Sequence, residues 1–178
     1  FLVTIGSGKF IELDYNLAYA SKDAKDVATA FSNLPNTNHK KLSFTNEEVT
    51  KKIVPEINSF LADASVNDYV IIFYAGHGVL SANLDYYLST YDMQFENPTE
   101  NGISYEELDL LLDNTKSRRK ILFLDACHSG EVDKDDAVLA NNENTEMGNV
   151  VFRSVGKTVV NKSSVGLESS FELSQRLF

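Results

Sequence analysis

Asp68-Tyr69-Val70-Ile71-Ile72-Phe73-Tyr74 runs without a break into Ala75-Gly76-His77-Gly78. A continuous apolar, β-branched and aromatic run of this kind predicts a central parallel strand covered on both faces, and the glycines predict its end. Lys120-Ile121-Leu122-Phe123-Leu124 repeats the signature and leads into Asp125-Ala126-Cys127-His128-Ser129-Gly130. Two buried strands are thus expected to finish in polar, glycine-bearing turns, one carrying His77 and the other the single cysteine of the chain.

Outward from these two runs, strand-like and helix-like segments alternate, the pattern of an α/β layer fold with a mostly parallel sheet. Phe1 to Ile5 reads as a first strand closed by Gly6. Ser21 is positioned to cap a helix with Ala24, Val27, Ala28 and Phe31 on one face, ending near Asn33 to Pro35. Lys41 to Phe44 reads as a weak strand. Thr45-Asn46-Glu47-Glu48 has the form of a capping box opening a helix with Val49, Ile53, Ile57, Phe60 and Leu61 inward, kinked or divided at Pro55. Tyr86 to Ser89 reads as a short extended segment, and Ser104-Tyr105-Glu106-Glu107 opens a further helix with Leu108, Leu111 and Leu112 on its apolar face.

After Gly130 the composition shifts. Glu131 to Asn149 holds Asp133, Asp135, Asp136, Glu143 and Glu146 with four asparagines, and reads as an acidic loop. Val150 to Gly166 carries mixed signals, and Ser169 to Phe178 reads as a final helix with Phe171, Leu173 and Leu177 apolar. The expected organisation is an α/β core over 1–130, an acidic linker loop over 131–167, and a helix over 168–178.

The 178 residues suffice for one domain with a sizeable core, and 43% hydrophobic with 24% charged residues is ordinary globular composition. A net charge of −10 argues against nucleic acid and against anionic membrane surfaces as partners, and favours cationic substrates. The longest apolar run, Val70 to Ala75, is too short to span a bilayer. One cysteine excludes an intrachain disulfide and fits a reducing, cytoplasmic setting. The strand-like start at Phe1, with no Met before it, reads as a piece of a longer chain.

In open α/β sheets, catalytic groups gather outside the carboxyl ends of the strands, so His77 and Cys127 are placed to meet despite their distance in sequence. A thiolate is the nucleophilic form of cysteine, and a nearby imidazole can hold it as an ion pair or pass a proton to a leaving amine. Backbone amides beside glycines can approach a substrate closely, which makes those of Gly78 and Cys127 the expected oxyanion hole. His128 adjoins Cys127 but is expected to be a turn residue, and His39 a solvated one. Three scattered histidines and one cysteine have no zinc-ligand spacing.

Tyr74-Ala75-Gly76-His77-Gly78 resembles the histidine box of the caspase-like cysteine proteases, and Asp125-Ala126-Cys127-His128-Ser129-Gly130 resembles their cysteine box in its Asp-x-Cys-x-Ser-Gly form. The 50 residues from His77 to Cys127 match the spacing of about 50 in caspases. Ser21-Lys22-Asp23-Ala24, and the stretch from Tyr86 to Asp92 followed by Gly102-Ile103-Ser104, are similar to further elements of the metacaspase and bacterial orthocaspase branch. Ala75 stands where many metacaspases have Ser, and Ser21-Lys22 replaces a more usual Cys-x-Asn.

The resemblance implies a three-layer caspase-like fold, with a mostly parallel central sheet and helices on both faces, and a cysteine endopeptidase made as a zymogen. It assigns nucleophile and base to Cys127 and His77, and implies a small-subunit portion after this region as partner, within the chain or separate. Where animal caspases carry Gln-Ala-Cys, this chain has Asp125-Ala126-Cys127. Strand alternation brings Asp125 to the side of Cys127, and Asp23 matches a second acidic pocket residue of metacaspases. Two carboxylates would bind Arg or Lys before the scissile bond and repel Asp. Lys134, the only basic residue between Lys120 and Arg153, is the expected processing site. No cofactor is expected, although Asp133, Asp135 and Asp136 are hard oxygen ligands and some metacaspases need calcium. Two other readings are an inert caspase-like scaffold domain and a flavodoxin-like nucleotide binder. The latter is disfavoured by the lack of a glycine-rich phosphate loop after Ile5.

Overall fold

The computed structural model describes residues 1–35, 37–128, 153–155 and 158–163, with side chains as far as Ala126. The acidic stretch with Asp133, Lys134, Asp135 and Asp136, the expected helix over 168–178, and the Ser129-Gly130 end of the cysteine box lie outside the described residues. The strands are β1 (Leu2–Gly6), β2 (Lys41–Thr45), β3 (Tyr69–Leu80), β4 (Tyr86–Leu88), β5 (Ile103–Ser104), β6 (Arg119–His128), β7 (Arg153–Val155) and β8 (Thr158–Ser163). The helices are α1 (Ala20–Ser32), α2 (Ile53–Leu61) and α3 (Tyr105–Asp113). All eight strands join one sheet in the order β2-β1-β3-β6-β8-β7, with β4 paired to β3 and β5 in turn to β4. Pairing is parallel from β2 to β8 and antiparallel at β7, β4 and β5.

Strand alternation sorts the residues into two layers. Val3 and Ile5 of β1, Val70, Ile72 and Tyr74 of β3, and Leu122, Leu124 and Ala126 of β6 pack with Ile53, Ile57 and Leu61 of α2 and Leu108, Leu111 and Leu112 of α3. Gly6 belongs to the opposite face, against α1. A Cβ there would lie 2.6 Å from the Ala20 carbonyl oxygen and 2.9 Å from Ala24 Cβ. The sheet therefore has helices on both faces, the three-layer α/β architecture expected from the sequence.

Several local expectations meet a different outcome. The Ser104–Glu107 box is complete, with the Ser104 amide donating to Glu107 Oε2 (2.9 Å) and the Glu107 amide to Ser104 Oγ (3.1 Å). The Thr45–Glu48 box opens only a 3-10 turn over Asn46–Glu48, because Asn46 sits at φ 54°, in the left-handed region. The helix proper starts at Ile53, which leaves Pro55 in its first turn, where a missing N–H costs nothing. At α1 the N-cap is Tyr19 rather than Ser21, and no side chain caps it.

Most consequential, β3 does not end at Gly76. It continues through His77 and Gly78 to Leu80, and β6 likewise continues through Cys127 to His128. Beyond Ala75 the place of β1 is taken by β4, which pairs with Gly78, Val79 and Leu80, so β3 keeps partners on both sides. His77, Cys127 and His128 are strand residues, not turn residues. β7 and β8 lie within 131–167, a stretch whose sequence reads as a linker loop; β8 continues the parallel sheet beside β6.

Gly6→Ala tests the close packing of α1. Its Cβ meets backbone rather than a flexible side chain, so a cost of about 1–3 kcal/mol is expected. Thermal denaturation should show a loss of about 2–4 °C per kcal/mol at this chain length.

Candidate active site

His77 stands on β3 directly opposite Cys127 on β6, and Ala75 opposite Asp125, in one unbroken parallel register. Cys127 and His128 are described as strand backbone, and the positions their side chains take lie outside the described residues.

His77 is half-buried. Its Nε2 lies 2.8 Å from the carbonyl oxygen of Tyr15, which closes the 3-10 turn Leu13–Tyr15. A carbonyl oxygen can only accept, so Nε2 carries the proton of this bond and the neutral ring keeps its lone pair on Nδ1. Phe10 and Phe95 each stand with ring centroids 5.5 Å from the imidazole, and Tyr15 stacks on Phe95 at 3.6 Å. Burial behind these rings pushes the His77 pKa below the ordinary histidine value, and the Tyr15 carbonyl opposes that only in part. The neutral imidazole is the favoured form at neutral pH.

Beside the imidazole, a cleft of about 190 Å³ is lined by Leu17, Tyr19, Asp23, Ala75, His77 and Asp125, among others. Asp23 comes from the first turn of α1 and Asp125 from β6. Neither carboxylate forms an ion pair among the described residues. Burial, and then the negative charge of Asp23, push the Asp125 pKa up to about 6. The Asp23 pKa is also raised, chiefly by burial, with Lys22 opposing and Asp26 adding to the rise. A slot with two desolvated acids at its wall attracts a cationic group.

Of the residues the sequence singles out, His77, Asp23 and Asp125 thus line one cleft, and Cys127 is the register partner of His77. Gly78 is opposite both Leu88 of β4 and His128 of β6. A Cβ on Gly78 would collide with the Tyr86 hydroxyl, whose proton goes to the Ala126 carbonyl at 3.3 Å. The sequence gives no sign of the Tyr15 carbonyl, because a main-chain acceptor has no side-chain signature. Phe10 and Phe95 read as ordinary apolar residues until the fold brings them to His77. Lys134 and the Asp133, Asp135 and Asp136 set lie outside the described residues. Among the described residues no group of three or more His, Cys, Asp or Glu is arranged to hold a metal ion, and no helix is long and apolar enough to cross a membrane.

The family profile of the caspase domain matches residues 1–172. None of the curated proteins compared with the chain matches it. Among solved structures, the crystal structure of a Geobacter sulfurreducens protein is similar, with a TM-score of 0.59 at 20% identity over 74% of this chain. The chain spans 52% of the length of that structure, and at this identity the likeness speaks for the fold alone.

The raised carboxyl makes a pH-dependent test. A folded pKa of about 6 lies above the ordinary value near 3.8, so the folded state binds the proton more tightly than the unfolded one. The cost of the charged carboxylate is absent below pH ~4, grows between ~4 and ~6, and is complete above ~6. Asp125→Asn should therefore raise the melting temperature by a few degrees at pH 7.5. That gain should fade as the pH falls through 6 towards 4, which thermal scans at stepped pH would reveal.

Proposed function

The chain belongs to the caspase-domain family of cysteine peptidases, and on that premise we propose that it is an endopeptidase of the metacaspase and orthocaspase type, cutting after arginine or lysine. Cys127 is the nucleophile and His77 its acid–base partner. The observation that carries the reading is the pairing of His77 with Cys127 on adjacent strands, next to a cleft walled by Asp23 and Asp125.

The chemistry follows from the tautomer of His77. With Nε2–H held by the Tyr15 carbonyl, Nδ1 takes the proton from the Cys127 thiol. The thiolate attacks the scissile carbonyl carbon, and the oxyanion is stabilised by the amides of Gly78 and Cys127. Collapse of the tetrahedral intermediate breaks the C–N bond as Nδ1–H protonates the leaving amine, leaving a thioester on Cys127. Water, deprotonated by Nδ1, hydrolyses the thioester and restores the thiol. These steps need no metal or organic cofactor; calcium, if it acts, would act on the acidic stretch at Asp133, Asp135 and Asp136.

The depressed pKa of His77 supports a base that is neutral before the reaction. The two acids support a basic residue before the cut, arginine above lysine because its planar fork can engage both carboxylates. Processing after Lys134, association with a small-subunit portion, and a reducing, cytoplasmic setting for the free thiol belong to the same reading.

Cys127→Ala and His77→Ala should each lower kcat/KM by about a thousandfold or more while the protein stays folded. Among fluorogenic peptides differing only in the residue before the cut, the order should be Arg, then Lys, with Asp not cleaved. Asp125→Asn should reduce the preference for Arg. Fragment analysis should show a cut after Lys134 in active protein and none in Cys127→Ala. If an electrophilic Arg peptide fails to label Cys127, the chain is instead a non-catalytic module of this family.

A further inference from the structure

His77 lies between two glycines, so neither neighbour has a side chain to stiffen the strand that carries the imidazole. The restraint comes from the other face of β3, the one turned to α2 and α3. Tyr74 and Ser89 are both fully buried there, at 0% exposure. The His77 amide donates to Ser89 Oγ at 3.1 Å, and the Ser89 amide donates to the His77 carbonyl at 2.9 Å. Tyr74 Oη lies 2.9 Å from Ser89 Oγ, 2.9 Å from the Ser89 carbonyl and 3.2 Å from the His77 carbonyl.

Both hydroxyl protons find partners in one arrangement. Ser89 Oγ accepts from the His77 amide and gives its own proton to Tyr74 Oη; the Tyr74 proton then goes to the two carbonyls. Burial keeps the Tyr74 phenol protonated by raising its pKa above the ordinary value. The glycine at 76 belongs to the same device, since a Cβ there would collide with Tyr74 Oη. Both peptide groups of His77 are thus gripped from behind, while its ring is fixed in front by the Tyr15 carbonyl.

We propose that Tyr74 and Ser89 are positioning residues for His77: their hydroxyls lock its backbone, so that the imidazole keeps Nε2 on the Tyr15 carbonyl and Nδ1 as the proton-transfer atom. Neither side chain touches the reacting atoms. The catalytic consequence rests on the peptidase reading, whereas the effect on the ring does not.

The test uses the full chain with 15N-labelled histidine and reads the His77 ring by NMR, assigned by its loss in His77→Gln. Wild-type protein should show a slowly exchanging Nε2–H proton and the Nε2–H tautomer. In Tyr74→Phe and in Ser89→Ala that proton should exchange about tenfold faster or more, and the tautomers should mix. With an Arg peptide, kcat should fall roughly ten- to a hundredfold with KM nearly unchanged, the size expected when a catalytic group is misplaced by about 1 Å. Thr115→Val removes another buried hydroxyl, bonded to the Leu112 carbonyl at 3.0 Å at the end of α3, and should alter neither signal. If Tyr74→Phe does not fold, Ser89→Ala decides alone.

Wild-type exchange, tautomer and kcat in the variants would overturn the proposal and leave the peptidase reading standing. A wild type with no peptidase activity whose slow Nε2–H is nonetheless lost in the variants would support the clamp and defeat the peptidase reading.

Discussion

Everything at the site depends on the parallel pairing of β3 with β6. The ladder runs from Tyr69 opposite Arg119 to Gly78 opposite His128 without a bulge. A slip of one residue would turn every side chain of one strand to the other layer, and the packing against α2 and α3 opposes it. Val70, Ile72, Tyr74, Leu122, Leu124 and Ala126 must all face α2 and α3 together. The register that buries these six therefore also sets His77 against Cys127 and Ala75 against Asp125. Core packing and site geometry are one constraint, so the two boxes can lie far apart in sequence and still meet.

The two faces of β3 divide the work at its carboxyl end. On one side the imidazole meets Tyr15, Phe10 and Phe95, and the acids of α1 and β6 share a cleft. On the other, tyrosine hydroxyls occupy the space that glycine leaves at 76 and 78. The glycines that look like strand terminators are better explained as room for those hydroxyls. A strand held on both edges and from behind is stiffer than a turn, and on the proposed reading a stiff support suits His77 as a general base, whose efficiency depends on its alignment.

This division explains what could and could not be read from the residues. Long apolar runs are visible as buried strands because burial on both faces demands them, and the Ser104 box is visible because its chemistry is local. His77, Asp125 and Asp23 stand out because imidazole and carboxylate are chemically conspicuous. The ends of β3 and β6 were illegible: whether a Gly-His-Gly continues as strand depends on β4 arriving as a partner, which no local pattern states. The helix expected from Thr45 forms only from Ile53 onward, because the left-handed Asn46 limits the capping box to a 3-10 turn. The Tyr15 carbonyl and the Tyr74–Ser89 pair act through main-chain atoms and buried hydroxyls, and only the folded geometry reveals them.

The electrostatics of the cleft give the arrangement its direction. Two carboxylates held in one desolvated slot, with no ion pair to either among the described residues, raise each other's energy, and the shift of Asp125 to about 6 reflects that burial and repulsion. The aromatic wall around His77 does the reverse for a base, disfavouring its charged form. Burial thus disfavours the charged state of the acids and of the imidazole alike. On the proposed reading, a guanidinium entering the slot supplies the counter-charge the acids lack, and a thiolate beside His77 stabilises the imidazolium that burial disfavours. On that reading the charges that destabilise the fold are the ones a basic substrate would neutralise, so specificity and destabilisation would have a common source. By the same argument, on the proposed reading a substrate with an acidic residue before the cut would add a third negative charge beside Asp23 and Asp125, which like-charge repulsion opposes.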